Sequence, residues 1–392
     1  MKKVSPALIA TLMLCYFTEG FVDLVGITAN MVQKDLGQSH AQASLMPSMV
    51  FIWFLLLSIP FGIVTNRTGR KRMVLASIAI SLLSLLLPLL GYSFPVVLLS
   101  MALLGISHVA LQVSFKPMIT NLIDRDHVTG GMSLGQFTKA IASLSGPLIV
   151  SWGAIHLAGS IGWRVVYPVF MLIGILAWFI LRRTTVEEPS LAENRSLRLS
   201  DSFSESLSLL KNPVLLLTFI GILCHVGVNV GMNLTAPKLL VERCGMSLEK
   251  AAFASSLYFA MRTVSSFCAP FLLPRFSRKT SLAFCLGLMT AGLLLMAFGG
   301  DRILLCTGIA LVGLGGVNVY PIIFSEAILS VDDRRRNAFS SLLAMAFIGG
   351  AVFPTLMGFA GDRFGQGGAV TLMMLGVAYL FFYLSRMKGR SA

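Results

Sequence analysis

Charged residues are scarce in this chain, and acidic residues are the scarcer kind. Only 12% of its 392 residues are charged, whereas soluble domains carry about 25%. Hydrophobic residues make up 56% of the chain, and the mean hydropathy is +0.82. A soluble protein of this length has no core large enough to bury so much apolar surface, so lipid must surround most of it. This composition excludes a soluble enzyme, a secreted scaffold and a disordered protein.

The usual sequence signals of catalysis and metal binding are also lacking. The six cysteines are scattered and none forms a CxxC pair, which argues against both a disulfide framework and a zinc site. The chain contains no HExxH motif and no GxxxxGK[ST] loop for ATP. We therefore predict no enzyme activity, no metal and no cofactor. The net charge of +14 is explained by basic cytoplasmic loops, so we predict no nucleic-acid partner either.

Apolar runs of membrane-spanning length recur along the whole chain. About 20 apolar residues in a helix cross the hydrocarbon core of a bilayer. In chain order, spans 1–12 are expected near 6–33, 42–64, 73–92, 94–123, 132–157, 163–182, 213–241, 248–274, 280–299, 302–330, 337–361 and 367–386. The sequence thus predicts an all-α membrane protein with twelve transmembrane helices.

The long polar stretch 183–212 separates six spans from six. We predict an N-terminal half over 1–182, a cytoplasmic linker over 183–212 with a short surface helix near 199–210, and a C-terminal half over 213–392. The halves resemble each other at an offset of about 208 residues, where 102–126 lies over 310–334. Parallel six-helix repeats of this kind predict two pseudo-symmetric halves, an architecture known among transporters.

Lysine and arginine are distributed unequally between the two sides of the predicted membrane. One side holds 21 of the 31 basic residues and the other side holds seven. Because basic loops stay in the cytoplasm, both termini are predicted to be cytoplasmic, which agrees with an even number of spans. The predicted location is the inner membrane of a bacterium. The protein is predicted to be a monomer that is surrounded by membrane lipid.

The loop between spans 2 and 3 carries a specific motif, GIVTNRTGRKR, over 62–72. It resembles the major facilitator superfamily signature G-x-x-x-D-R-x-G-R-[KR]-[KR], with an asparagine in place of the acid. The resemblance implies a gating loop at the cytoplasmic face. Its residues are Gly62, Asn66, Arg67, Gly69, Arg70 and Lys71. A weaker copy, PRFSRKT, lies between spans 8 and 9 over 274–280.

Four further segments resemble the fucose–proton symporter branch of this superfamily and the related Bacteroidetes-type sugar transporters. They are 20–27, 134–147, 320–328 and 340–362. This resemblance implies alternating access and a proton-coupled sugar as substrate. The chain departs from the branch in span 4, where Gln112 and Lys116 stand in place of an acid and an asparagine.

Ionisable groups at bilayer depth are costly unless they face a cavity or a partner. In span 1, Glu19 and Asp23 are four residues apart and are predicted to share one helix face. Two carboxylates so close together hinder each other's ionisation, and a proton carrier requires this effect in order to bind a proton near neutral pH. We predict that this pair couples transport to a cation, a proton or sodium; the alternative is that both carboxylates are permanent partners of buried bases.

Polar side chains also recur at helical spacing in several other spans. Amides and imidazoles in such stripes suit sugar hydroxyls, which both donate and accept hydrogen bonds; the plainer alternative is contacts that only join helices. The predicted substrate-binding residues are His108, Gln112, Lys116, Gln136, Lys139, His225, Asn229, Asn233, Arg262, Asn318 and Tyr320.

The deep charges leave a surplus of one base. Glu19 and Asp23 contribute −2, whereas Lys116, Lys139 and Arg262 contribute +3. The surplus favours a sugar acid as substrate, unless Asp23 pairs with Lys116 or Lys139 and the sugar is neutral. The predicted function is symport of a sugar or sugar acid into the cell. The alternative is an efflux antiporter for drugs or small metabolites.

Overall fold

The computed structural model describes residues 6–122, 128–157, 162–186, 204, 207–272, 275–328 and 342–387. Within these ranges the chain is helical and contains no strand. The α-helices are α1 (Pro6–Glu19), α2 (Val25–Leu36), α3 (His40–Thr68), α4 (Arg70–Leu90), α5 (Phe94–Leu122), α6 (Val128–His156), α7 (Val166–Arg183), α8 (Pro213–Cys244), α9 (Leu248–Ala251), α10 (Phe253–Leu272), α11 (Arg278–Phe298), α12 (Arg302–Gly316), α13 (Val319–Ile328), α14 (Gly349–Phe364) and α15 (Gln366–Arg386).

The helices follow the apolar runs closely. Ten segments of the described chain are long and apolar enough to cross a membrane. Spans 5 and 8 are not among these ten segments. They form the helices α6, with 29 residues, and α10, with 20 residues, which pack against each other. Hydropathy predicts these boundaries well because a helix in lipid must satisfy its backbone internally and present apolar side chains along its whole length.

Span 1 departs from the predicted single helix. α1 ends at Glu19, a 3-10 helix covers Gly20–Leu24, and α2 begins at Val25. A methyl group on Gly20 would lie 2.6 Å from the Cβ of Ala142 and 3.0 Å from the carbonyl oxygen of Lys139. The break is therefore held in close contact with span 5, and Glu19 and Asp23 do not lie on one face of a continuous α-helix as predicted.

Span 10 also departs from a single helix, and the predicted surface helix of the linker lies largely outside the described residues. Span 10 is divided, because α12 ends at Gly316 and α13 begins at Val319. The predicted surface helix near 199–210 lies mostly outside the described residues, and a 3-10 helix covers Leu209–Lys211.

The two halves of the fold meet along spans 1 and 7, spans 2 and 11, and spans 5 and 8. Asn30 Nδ2 donates to Leu234 O at 3.0 Å, and the hydroxyls of Ser48 and Thr355 lie 2.6 Å apart. We call the end where the first and last described residues lie the proximal end and the opposite end the distal end. The polar site lies between these ends, where spans 1, 4 and 5 face spans 7 and 8.

Candidate functional site

The carboxylate of Glu19 is the centre of the polar site in the first half. Its side chain is 2% exposed and lies at the end of α1. Glu19 Oε1 accepts a hydrogen bond from Gln112 Nε2 at 2.6 Å and forms an ion pair with Lys139 Nζ at 3.2 Å. Three spans thus meet at one oxygen, at the point where the α-helix of span 1 ends.

Asp23 lies in the 3-10 turn that follows and has different partners. Its Oδ2 accepts from the hydroxyl of Ser143 in span 5, and its backbone oxygen accepts from Asn233 Nδ2 at 2.7 Å. Asn233 belongs to span 7, so this contact joins the halves. Lys139 pairs with Glu19 in the structure, so the alternative pairing of Asp23 with Lys139 is not formed, whereas the alternative pairing of Asp23 with Lys116 involves a side chain outside the described part.

Span 4 continues the polar site towards Phe54 of span 2. The imidazole nitrogen Nε2 of His108 lies 3.3 Å from Gln112 Nε2, and the His108 ring packs edge-on against Phe54 with centroids 5.7 Å apart. His108, Gln112 and Glu19 therefore form a connected polar chain. The side chains of Lys116 and Gln136 lie outside the part that the structure describes.

The second half supplies a matching polar group on spans 7 and 8. Asn229 Nδ2 lies 2.8 Å from His225 Nε2, and the hydroxyl of Tyr258 donates to Asn229 Oδ1. The guanidinium of Arg262 lies over the Tyr258 ring, 5.5 Å from its centroid. Sequence reasoning missed Tyr258, although its position four residues before Arg262 in span 8 is a signal that was available.

The two groups act on each other electrostatically. Arg262 in span 8 acts on Lys139 in span 5, and Asp23 in span 1 acts on Tyr258 in span 8. Charges from both halves thus share one region. A change in the charge of one group alters the energy of the other, because interactions in a water-poor interior are weakly screened.

Two predicted residues of span 10 are engaged elsewhere. Asn318 Nδ2 donates to Ser265 Oγ at 2.9 Å. Tyr320 stacks with Phe324, with ring centroids 5.7 Å apart, and packs edge-on against Phe347 at 5.8 Å. Both therefore support helix packing in this conformation, and neither joins the Glu19 or Tyr258 group.

The gating loop forms a tight connection at the proximal end. Gly69 has φ +93°, which a residue with a side chain rarely adopts, and it joins α3 to α4. Lys71 Nζ donates to the carbonyl oxygens of Arg182 at 3.1 Å and Thr184 at 2.7 Å, which ties the loop to the end of span 6. Gly62 and Arg70 lie in α3 and α4, Arg67 is exposed at the end of α3, and the side chain of Asn66 is outside the described part.

The distal end carries a cleft of about 370 Å³. Asp35 Oδ2 accepts from Tyr92 OH at 2.8 Å and from Trp163 Nε1 at 2.7 Å on its wall. An ion pair between Lys34 and Glu249 joins the two halves beside it. Within the described ranges, no three His, Cys, Asp or Glu side chains group as a metal site would require.

Curated relatives match almost the whole chain at low identity. The glucose/galactose transporter of Brucella abortus is 22% identical over 386 residues, which cover 96% of this chain and 92% of the relative. The hexuronate transporter of Bacillus subtilis is 24% identical over 381 residues, which cover 90% and 87%. This chain is therefore similar in length and sequence to transporters of neutral and of acidic sugars.

Solved structures match the fold along the full length. The fucose:proton symporter of E. coli matches with a TM-score of 0.68 at 19% identity, covering 97% of this chain and 99% of that one. The xylose transporter XylE of E. coli, in an inward-open conformation, matches with a TM-score of 0.75 at 13% identity, covering 98% and 96%. The sequence profile of the Major Facilitator Superfamily matches residues 8–354. The predicted all-α fold of twelve transmembrane helices in two halves is thus confirmed, and the chain is a transporter that belongs to the major facilitator superfamily.

Proposed function

We propose that this protein imports a sugar or sugar acid together with a proton by alternating access. The observation that carries the proposal is the buried carboxylate of Glu19, which Gln112 and Lys139 contact from two other spans. A buried carboxylate that faces a base and a hydrogen-bond donor is suited to gain and lose a proton as its surroundings change. The names of the sugar and hexuronate transporters among its relatives support the substrate class.

Proton binding and sugar binding are linked through the same donors. When Glu19 is ionised, its charge holds the Lys139 ammonium and the Gln112 amide. Protonation removes that charge and frees both donors for hydroxyl or carboxylate oxygens of the substrate. Because the coupling free energy is reciprocal, bound substrate in turn favours the protonated carboxylate.

The second half supplies the groups that distinguish an acidic substrate. Arg262 lies over Tyr258 and has no ion pair with a described carboxylate. A guanidinium at this depth is stabilised by an anion that arrives with the substrate. His225, Asn229 and the ring of Tyr258 then provide hydrogen-bond partners and an aromatic face for the sugar itself.

Proton movement with the substrate tests the function and its direction. De-energised cells in a weakly buffered medium are given D-galactose, D-glucose, D-galacturonate or D-glucuronate in turn. Symport predicts that the medium becomes more alkaline when the transported sugar is added, because protons enter with it. An efflux antiporter run in reverse would acidify the medium, and a sodium symporter would leave its pH unchanged.

We place the protein in the inner membrane of a bacterium with its proximal end in the cytoplasm. The predicted halves, 1–182 and 213–392, then move against each other, and the 183–212 linker joins them on the cytoplasmic side. The exposed bases of the gating loop, such as Arg67, favour this orientation because basic loops are retained in the cytoplasm.

Cysteine labelling tests this orientation. In a variant without native cysteines, a cysteine replacing Asn337 is expected to resist a membrane-impermeant thiol reagent in intact cells and to react after permeabilisation. A cysteine replacing Gly300 is the control, because this exposed glycine lies at the distal end, where an added Cβ would meet no atom within 4 Å. Ready labelling at 337 in intact cells would overturn the orientation.

A further inference from the structure

Residues 358–365, GFAGDRFG, repeat the spacing of the gating loop. They follow the pattern G-x-x-x-D-R-x-G, as GIVTNRTG does over 62–69 except for its asparagine. The two segments lie at opposite ends of the fold, because 62–69 ends span 2 proximally and 358–365 ends span 11 distally. The acid that Asn66 replaces in the first segment is present in the second as Asp362.

The carboxylate of Asp362 binds the start of a helix in the other half. Its Oδ1 accepts from the backbone N–H of His40 at 2.7 Å, and its Oδ2 accepts from that of Ala41 at 2.9 Å. The N–H groups of Ser39 and Gln42 are satisfied by a capping box within α3 itself. Asp362 thus satisfies the two remaining donors of the first turn of α3, which the helix cannot satisfy alone.

The backbone around Asp362 is shaped for this contact. A methyl group on Gly358 would overlap the hydroxyl of Ser44 and lie 2.8 Å from the carbonyl oxygen of His40. Span 11 can therefore approach span 2 so closely only with a glycine here. The seam continues from this point through Ser48 Oγ, which lies 3.0 Å from the carbonyl oxygen of Ala351.

We propose that Asp362 and the first turn of α3 form a distal latch that sets the balance between the two conformations of the transporter. Opening the distal end separates spans 2 and 11, removes both hydrogen bonds and withdraws a negative charge from the positive end of a 29-residue helix. The corresponding proximal segment carries a neutral asparagine. The charge-assisted contact therefore favours the conformation that is closed at the distal end, whatever the substrate or coupling ion is.

The latch can be tested by measuring the distance between the halves. Leu90 and Phe298 are exposed at the distal end, one in each half, and take spin labels after replacement by cysteine in a variant without native cysteines. In wild-type background we expect the short distance of the closed distal end to dominate. Asp362→Ala is expected to raise the ratio of distal-open to distal-closed molecules about fivefold, since a charge at a helix end and its hydrogen bonds contribute at about this level.

The matched control is Asp301→Ala. Asp301 also accepts two backbone N–H groups at a distal helix end, from Ile303 at 2.8 Å and Leu304 at 3.0 Å, but within its own half. This variant should leave the distance distribution unchanged. Asp362→Asn keeps the shape of the side chain and loses its charge, and it should shift the ratio of distal-open to distal-closed molecules about twofold. This variant replaces Asp362→Ala as the test if the alanine variant does not fold. An unchanged distribution in both Asp362 variants, or an equal shift in Asp301→Ala, would overturn the proposal.

Discussion

Glu19→Gln is expected to abolish accumulation of substrate against a gradient while exchange of substrate across the membrane continues. The amide keeps the size of the side chain and can still hydrogen-bond to Gln112, but it cannot bind and release a proton. Exchange requires only that substrate bind and the halves move, whereas accumulation requires that proton binding change the energy of the site. Uptake of labelled sugar by energised cells, and exchange in proteoliposomes, measure the two activities separately.

Asp23→Asn is expected to give the same result if both carboxylates take part in coupling. The control is Glu242→Gln, because Glu242 Oε2 accepts from the backbone N–H of Gln366 at 2.8 Å near the distal end, away from the Glu19 group. This variant should accumulate substrate normally. Undiminished uphill transport by both Glu19→Gln and Asp23→Asn would remove span 1 from the coupling mechanism.

Loss of folding has to be separated from loss of coupling. Glu19→Gln leaves the Lys139 ammonium without the carboxylate that faces it, and the Lys139 side chain is only 21% exposed. We expect a loss of about 2 kcal/mol in stability, below the usual range for a fully buried pair because part of the charge reaches solvent. The double variant Glu19→Gln with Lys139→Gln should regain thermal stability in detergent without regaining accumulation.

Arg262→Gln is expected to weaken binding of the hexuronate by about 2–5 kcal/mol and to change binding of the matching neutral hexose little. This is the usual cost of removing one partner from a buried charge pair. Arg262 lies 5.5 Å and 5.8 Å from the ring centroids of Tyr258 and Phe259, which orient the guanidinium but do not neutralise it. Titration calorimetry with D-galacturonate and D-galactose on purified protein measures both affinities.

The arginine control lies at the distal end of the same half. Arg243 donates to the carbonyl oxygens of Met296 and Gly299, each at 2.8 Å, so Arg243→Gln removes an equal charge without touching the site. Lys116→Gln, at another of the deep bases predicted from the sequence, should weaken acid binding in the same manner. Equal losses for the acid and the neutral sugar in Arg262→Gln would contradict an acidic substrate and favour a neutral one.

Some features of the site were accessible from sequence because their physical cause is local. A carboxylate in an apolar run must have a function or a partner, which singled out Glu19 before any contact was known. The same reasoning found His108, Gln112, Lys139, His225 and Asn229, all of which take part in the polar contacts at the centre of the fold. Tyr258 escaped it because a tyrosine in an apolar helix carries no comparable cost.

The sequence by itself determined the twelve spans, their grouping into two halves and the family, because lipid imposes length and hydropathy on each helix separately. Only the tertiary structure decided which charges meet. Lys139 is 120 residues from Glu19, and Asp362 is 322 residues from His40. Such pairs depend on how far apart the helices lie and how they are turned, and a glycine contact such as that of Gly20 with Ala142 determines both. Periodicity along one helix carries no information about these distances, so the ion pair at Glu19 and the latch at Asp362 emerge only when the helices are packed.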